Sequence, residues 1–299
     1  MSPIVLTHQT PTGEFLQATF LPDKGMNLIS FKRGDIEVID QSTTHLFEER
    51  YAGLGALIGP HFHRRKTDVL PKIKEEALFP HIARVKSKGI EDPFSHGIAR
   101  YAPWKAESTK DQIKALLNGK DTWKGVPLSM LEGQNFNMRL EVSLKENGLF
   151  LALSIVSDTA SLVGIHYYYA LSEGKGSIVS QVQNRLLSNR QLISMPSDWK
   201  FNAQQELTFD LNNEADFTFR PYPNPLQGEI LLTTGQYKLR TRYTSDCGEN
   251  CWQLYHPKGA SFVCIEPISS QDPVHPNLTV SCLNIHLEIL PHNSSDRRC

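Results

Sequence analysis

Short apolar or alternating runs, each cut off by Gly, Pro, Asn or Asp, fill this chain, and helical periodicity is scarce. A side-chain period of two buries one face of a strand, so such runs select sheets over helix bundles. Residues 149–156 read LFLALSIV between Asn147-Gly148 and Ser157-Asp158. Residues 228–243 read GEILLTTGQYKLRTRY, two alternating runs around Thr234-Gly235, and predict a hairpin. Residues 261–265 and 278–290 are further runs rich in β-branched residues, and 17–22 and 36–40 flank a turn at Asp23, Lys24 and Gly25. The spacing predicts helix only over 111–118 (DQIKALLN) and 43–51. Many short strands with turn punctuation predict an all-β sandwich or barrel with few short helices. The chain of 299 residues is long enough for two average domains, but no Pro/Ser-rich linker or internal repeat divides it. A single β domain is therefore expected over 1–290, with 291–299 as a disordered tail.

Charge narrows the partners. Lys and Arg number 31 against 32 Asp and Glu, a net charge of -1, so no global field draws the chain to nucleic acid or to an anionic membrane. A hydrophobic content of 39% is that of a globular protein and excludes a disordered chain. The N-terminus has no basic segment followed by an apolar one, and no apolar run approaches the ~20 residues that span a bilayer. A cytoplasmic location is the resulting expectation. Cys247 and Cys251 have a C-x3-C spacing, but no matching second pair exists, so no zinc site is expected and the cysteines are read as reduced thiols.

Several titratable residues sit in unusual settings. Glu266 ends the apolar run Phe262-Val263-Cys264-Ile265 just before Pro267, and alternation puts it on the face of Cys264 and Phe262. It is either a desolvated carboxyl with a raised pKa, suited to proton transfer, or a rim carboxylate in water or an ion pair. His166 shares a face with Gly164 and Tyr168, and is either a proton donor and acceptor or a satisfied core histidine. The segments Gly59-Pro60-His61-Phe62-His63-Arg64 and Ser95-His96-Gly97-Ile98-Ala99-Arg100 offer imidazoles and guanidinium groups on irregular chain, where function concentrates. His61-x-His63 lacks an obvious third metal ligand. Residues 61–88 are locally basic, either a solvated face or a seat for an anionic group such as a sugar phosphate.

Taken in order, these segments resemble the aldose 1-epimerase (galactose mutarotase-like) family over nearly the whole chain. Gly25-Met26-Asn27-Leu28, followed by Gly34, Glu37 and Val38, is similar to its early Gly-Ala-x-Leu segment and following strand. Residues 57–64 resemble its P-x-x-N-R loop, with Arg64 in the arginine position and His63 in place of Asn. Residues 95–100 with Trp104 resemble its H-G-x-x-R…W signature, and the segment through Gly164-Ile165-His166-Tyr167-Tyr168 resembles the one that carries its second histidine. That segment continues with Tyr169 and Ala170, a departure from the family's H-x-Y-F-N. Phe262 to Pro267 is similar to the strand bearing the catalytic glutamate.

The resemblance implies a large β-sandwich (supersandwich) and acid/base catalysis without metal or cofactor. Glu266 would act as base and His166 as acid. Arg64, His96, Arg100 and an upstream acid, Asp216 or failing that Asp210, would bind substrate, with Trp104 and Tyr168 against the sugar face. The implied partner is a monosaccharide, an aldohexose or hexose phosphate, and the expected state is a monomer or weak homodimer. Two alternatives remain at this level. One is a hexose-6-phosphate 1-epimerase, supported by Arg64, Arg65 and Lys66; the other is a non-catalytic carbohydrate-binding or sensing module.

Overall fold

The computed structural model describes residues 2–290 apart from 12, 189, 190 and 198; the tail expected over 291–299, with Cys299, lies outside the described residues. Two antiparallel sheets carry the fold, one of eleven strands and one of ten. The eleven-stranded sheet runs from Ile4–Gln9 at one edge to Gln191–Ser194 at the other. At its centre lie, side by side, Gly55–Ile58, Gly164–Ala170, Phe262–Ile268, Cys251–His256 and Ala215–Pro221. Alternation explains the packing: Tyr167, Tyr169, Leu254, Val263 and Ile265 point into the core between the sheets, where Leu140, Leu151, Leu153, Leu283 and Ile285 meet them from the other sheet.

The hairpin forms as the sequence predicts, from Gln227–Thr233 and Lys238–Thr244 in antiparallel register. Its turn is closed by Thr234 Oγ1, which accepts from the Tyr237 N–H at 3.0 Å. The helix expected near 43–51 is Thr44–Arg50, ended by Tyr51 in the left-handed conformation.

Residues 111–118 are not helical. Gln112–Asn118 is a strand, between Lys105–Ser108 and Phe136–Lys145. Ile113, Ala115 and Leu117, two residues apart, are buried while Leu116 is exposed, so the period of two prevails over the short helix-like spacing. The cysteines are also not all reduced. Cys247 and Cys282 are joined in a disulfide, their Cα atoms 5.8 Å apart, within the span a bridge needs. Cys251 and Cys264 are free and buried. Among the described residues, no helix is long and apolar enough to cross a membrane.

Candidate active site

The five central strands align their side chains in rows across the sheet. Ala56 pairs with His166, the registers of Gly164 with Ile268 and Tyr167 with Ile265 set His166 opposite Glu266, Gln253 pairs with Glu266, and Thr218 pairs with Gln253. A second row runs Tyr168, Cys264, Tyr255, Asp216. Both rows lie on the face turned away from the sandwich core, because their chain neighbours Tyr167, Ile265 and Leu254 point into it. Loops cover this face and leave a cleft of about 390 Å³ whose floor includes His166, Tyr168, Asp216, Gln253 and Glu266.

At the middle of the floor, His166 Nε2 lies 3.2 Å from Glu266 Oε1. Glu266 is 1% exposed and His166 is 7% exposed. Burial drives the Glu266 carboxyl well above its ordinary value, against the opposing pull of Arg100 and with the help of Asp216. Burial likewise drives the His166 imidazole well below its ordinary value, and Arg100 adds to the shift. Both shifts disfavour charge in the resting site, so one proton shared between the two groups is the favoured state. Glu266 Oε2 has no hydrogen-bond partner among the described residues.

The walls come from the loops. The His96 ring stands edge-on to His166 at 5.0 Å, and Tyr168 stacks on His166 at 5.0 Å. The His96 N–H donates to the His63 carbonyl at 2.7 Å, tying the two histidine loops together. Burial, and then the charges of His166, Arg100 and His63, keep the His96 imidazole well below its ordinary value. Gly97 has φ +86°, and a Cβ there would lie 2.0 Å from the Gly59 carbonyl oxygen, so this crossing of the loops requires glycine. Arg100 is 3% exposed and lines the cleft, yet its Nε and Nη2 have no hydrogen-bond partner among the described residues. Asp216 Oδ1 accepts from Gln253 Nε2, and Gln253 Oε1 accepts from Thr218 Oγ1. Burial raises the Asp216 carboxyl, the Gln253 hydrogen bond opposing it.

Of the residues singled out in the sequence, Glu266, His166, His96, Arg64, Arg100, Tyr168 and Asp216 meet in this cleft. Trp104 does not. It is 1% exposed and part of the core, and its indole N–H donates to the Ala99 carbonyl, so it supports the loop from below and reaches no ligand face. Asp210 ends the Leu207–Asp210 strand of the ten-stranded sheet and is exposed away from the cleft. The basic stretch divides. His63 and Arg64 line the cleft, Arg65 is held by Asp92, Lys86 pairs with Glu76, and Lys88 pairs with Glu49. Arg50, Gln253, Thr218 and Tyr255 also line the cleft and escape the sequence reading. Alternation within CWQLYH held the signal for two of them, since Gln253 and Tyr255 must face away from the side of Trp252 and Leu254.

His166, Cys264 and Glu266 bring one donor atom each to within 4.8 Å of the others. The Arg100 guanidinium acts on all three of these groups and opposes a cation there.

No protein-family profile matches the sequence, and no curated protein does. Solved structures do match along the whole chain. A galactose mutarotase-like protein from Lactobacillus casei aligns with a TM-score of 0.66 at 11% identity, over 97% of this chain and 100% of its own. A GalM/aldose epimerase homologue from C. elegans aligns with a TM-score of 0.65 at 13% identity, over 98% of this chain and 100% of its own. The chain has the galactose mutarotase-like fold. A second galactose mutarotase-like protein, from Clostridium acetobutylicum, aligns at 0.60 with 11% identity over 97% of this chain and 99% of its own. Such identities carry the fold alone, and the chemistry has to be argued from the site.

Proposed function

We propose that this chain is an aldose 1-epimerase that interconverts the anomers of a monosaccharide by acid/base ring opening and closure. One observation carries the reading: a buried carboxyl and imidazole 3.2 Å apart on the floor of a cleft. Glu266 as carboxylate takes the proton of the C1 hydroxyl while His166 as imidazolium gives one to the ring oxygen. The ring opens, C1 rotates, and closure on the other face returns each proton by the reverse route. The proton count of the pair is the same before and after, so the site needs no exchange with solvent in each turnover. Arg100 favours the carboxylate form of Glu266 and offsets charge building at the ring oxygen. His96, Arg64 and Asp216 are the hydroxyl ligands, and Tyr168 backs the histidine.

A second reading concerns the substrate rather than the reaction. Arg50, Arg64 and Arg100 line the cleft, and Arg50 Nε and Arg100 Nε and Nη2 are buried without partners among the described residues. Guanidinium nitrogens left without protein partners favour a sugar with an anionic substituent, a phosphate ester above all.

Polarimetry or magnetisation-transfer NMR on glucose, galactose, xylose and glucose 6-phosphate tests both readings. Glu266→Gln is expected to abolish anomer exchange with the fold intact, and His166→Asn to lower kcat more than it raises KM, because proton donation is made in the transition state. The wild-type rate should be bell-shaped in pH, with a wide plateau. It falls in acid when the depressed His166 takes up a second proton, and in alkali when the raised Glu266 loses the shared one. Full turnover by the Glu266→Gln variant would end the assignment.

A further inference from the structure

At the cleft wall, with Asp92 reaching its lining, lies a second cluster of charges that the proposed reaction does not use. His61 Nδ1 is 2.6 Å from Glu132 Oε1, and His61 Nε2 is 3.4 Å from Asp92 Oδ2. Arg65 grips Asp92 with two bonds, Nε to Oδ2 at 3.1 Å and Nη2 to Oδ1 at 2.8 Å, while its Nη1 donates to the Glu132 carbonyl. The side chains of Asp92 and Glu132 are each 1% exposed. Four charges this deep are tolerated only when they sum near zero and are hydrogen-bonded. Two carboxylates and one guanidinium leave a deficit of one positive charge, and only His61 as imidazolium fills it.

The same carboxylates hold the backbone of the loops that reach the cleft. Asp92 accepts from the N–H groups of Arg65 at 2.8 Å and Phe94 at 3.0 Å. Glu132 Oε2 accepts from the Ile98 N–H at 2.9 Å. Ile98 begins the Ile98–Arg100 turn, which ends in Arg100, His96 lies between Phe94 and Ile98, and Arg64 lies between His61 and Arg65. Glu132 itself ends the short Leu128–Glu132 helix, so the cluster joins three separate pieces of chain.

We propose that His61, Arg65, Asp92 and Glu132 form a four-charge lock whose members are positioning residues, holding His96, Arg64 and Arg100 in place over the floor of the cleft. None of the four is asked to touch the sugar. The charges that face His61 are Glu132 from the helix, Asp92 from the loop before Phe94, and Arg65 from its own loop; beyond contact, Tyr101 and His96 feel the cluster. Burial opposes the charge on His61, yet Glu132 and Asp92 outweigh it and hold the imidazole above its ordinary value of 6.5. A raised histidine contributes stability that is complete below the unfolded value and lost as pH rises through the folded one. The lock should therefore loosen as pH rises through that raised value, and from the His61 side.

The kinetic arm rests on the epimerase reading, and the exchange arm does not. Hydrogen exchange of the peptide spanning 92–100 is measured in wild type, Glu132→Gln, Asp92→Asn and His61→Gln from pH 6 to 9, corrected for the intrinsic rate, with anomer exchange of glucose and glucose 6-phosphate followed in parallel. In wild type, protection of 92–100 is expected to drop as pH rises past the ordinary histidine range. That step should vanish in His61→Gln, and Glu132→Gln and Asp92→Asn should lose protection at every pH while strands of the distant sheet keep theirs. Turnover of whichever sugar wild type accepts should fall about tenfold to a hundredfold, as displacement of positioning groups by ~1 Å does, with kcat and KM both affected. Arg65→Lys keeps the charge without the fork and should recover little. Wild-type protection of 92–100 in Glu132→Gln and Asp92→Asn, or an unchanged pH step in His61→Gln, overturns the lock. An inactive wild type overturns the epimerase reading alone, since the exchange data still decide the lock.

Discussion

Glu266 stands where strand chemistry alone would not put a carboxyl, and its cost to the fold is measurable. It is buried, one of its oxygens is unpartnered, and burial raises its protonation range. A raised carboxyl stabilises the fold fully below its unfolded value near 4.5 and loses that contribution as pH rises through the folded value. Glu266→Gln keeps the shape and removes the charge. It is expected to raise Tm, with little gain at pH 5 and a larger one at pH 8, about 1.4 kcal/mol for each unit by which burial raises the carboxyl. Thermal melts of the two proteins across that range check it. A variant that melts below wild type at pH 8 would show that Arg100 and His166 more than offset the desolvation of the carboxylate. Together with lost activity, the gain would mark Glu266 as a residue kept for chemistry at the expense of stability.

At the scale of elements, the cleft depends on two loops that cross so closely that only glycine fits. Gly97→Ala would place a methyl 2.0 Å from the Gly59 carbonyl oxygen and 2.7 Å from the Pro60 nitrogen at φ +86°. It should cost roughly 1–3 kcal/mol of strain, relieved by moving His96 and Arg100 outward. The check is a denaturant midpoint beside an anomer-exchange rate; a Gly97→Ala variant equal to wild type in both would show that the crossing yields freely. The same loops show what was legible in the sequence. Alternation read the strands that bear His166 and Glu266 and the faces these residues share, because a period of two is local. It also gave a helix-like spacing in DQIKALLN, where the outcome depended on sheet neighbours at 105–108 and 136–145 that no local window contains. Trp104 sat in a family-like context, but whether a ring faces ligand or core is set by what packs around it. Arg50 reaches the cleft through tertiary packing, and the Cys247–Cys282 bridge forms through a fold-back of 35 residues. None of these is written in neighbouring positions.

For the whole molecule, the site is inseparable from the sandwich beneath it. The floor strands come from Gly55–Ile58, Gly164–Ala170, Ala215–Pro221, Cys251–His256 and Phe262–Ile268, so the chain returns to this sheet from most of its length. The opposite sheet is laced through the same stretch, with Gln112–Asn118 in the first half and Val280–Leu290 near the end. A cut at any point between these strands would leave both sheets incomplete and the apolar faces of Tyr167, Trp252 and Ile265 in water. Such interleaving forbids one half from melting while the other stays folded, so 1–290 should unfold as one cooperative unit. Trp104 and Trp252 are both buried and lie far apart in the sequence, and each can be followed in a variant where the other tryptophans are replaced by Phe. Their fluorescence midpoints in urea should coincide with each other and with the far-UV signal of the sheets. A transition at Trp104 that precedes the one at Trp252 would divide the chain into two cooperative units. The cleft would then be made between them, with Arg100 and His96 on one and Glu266 on the other.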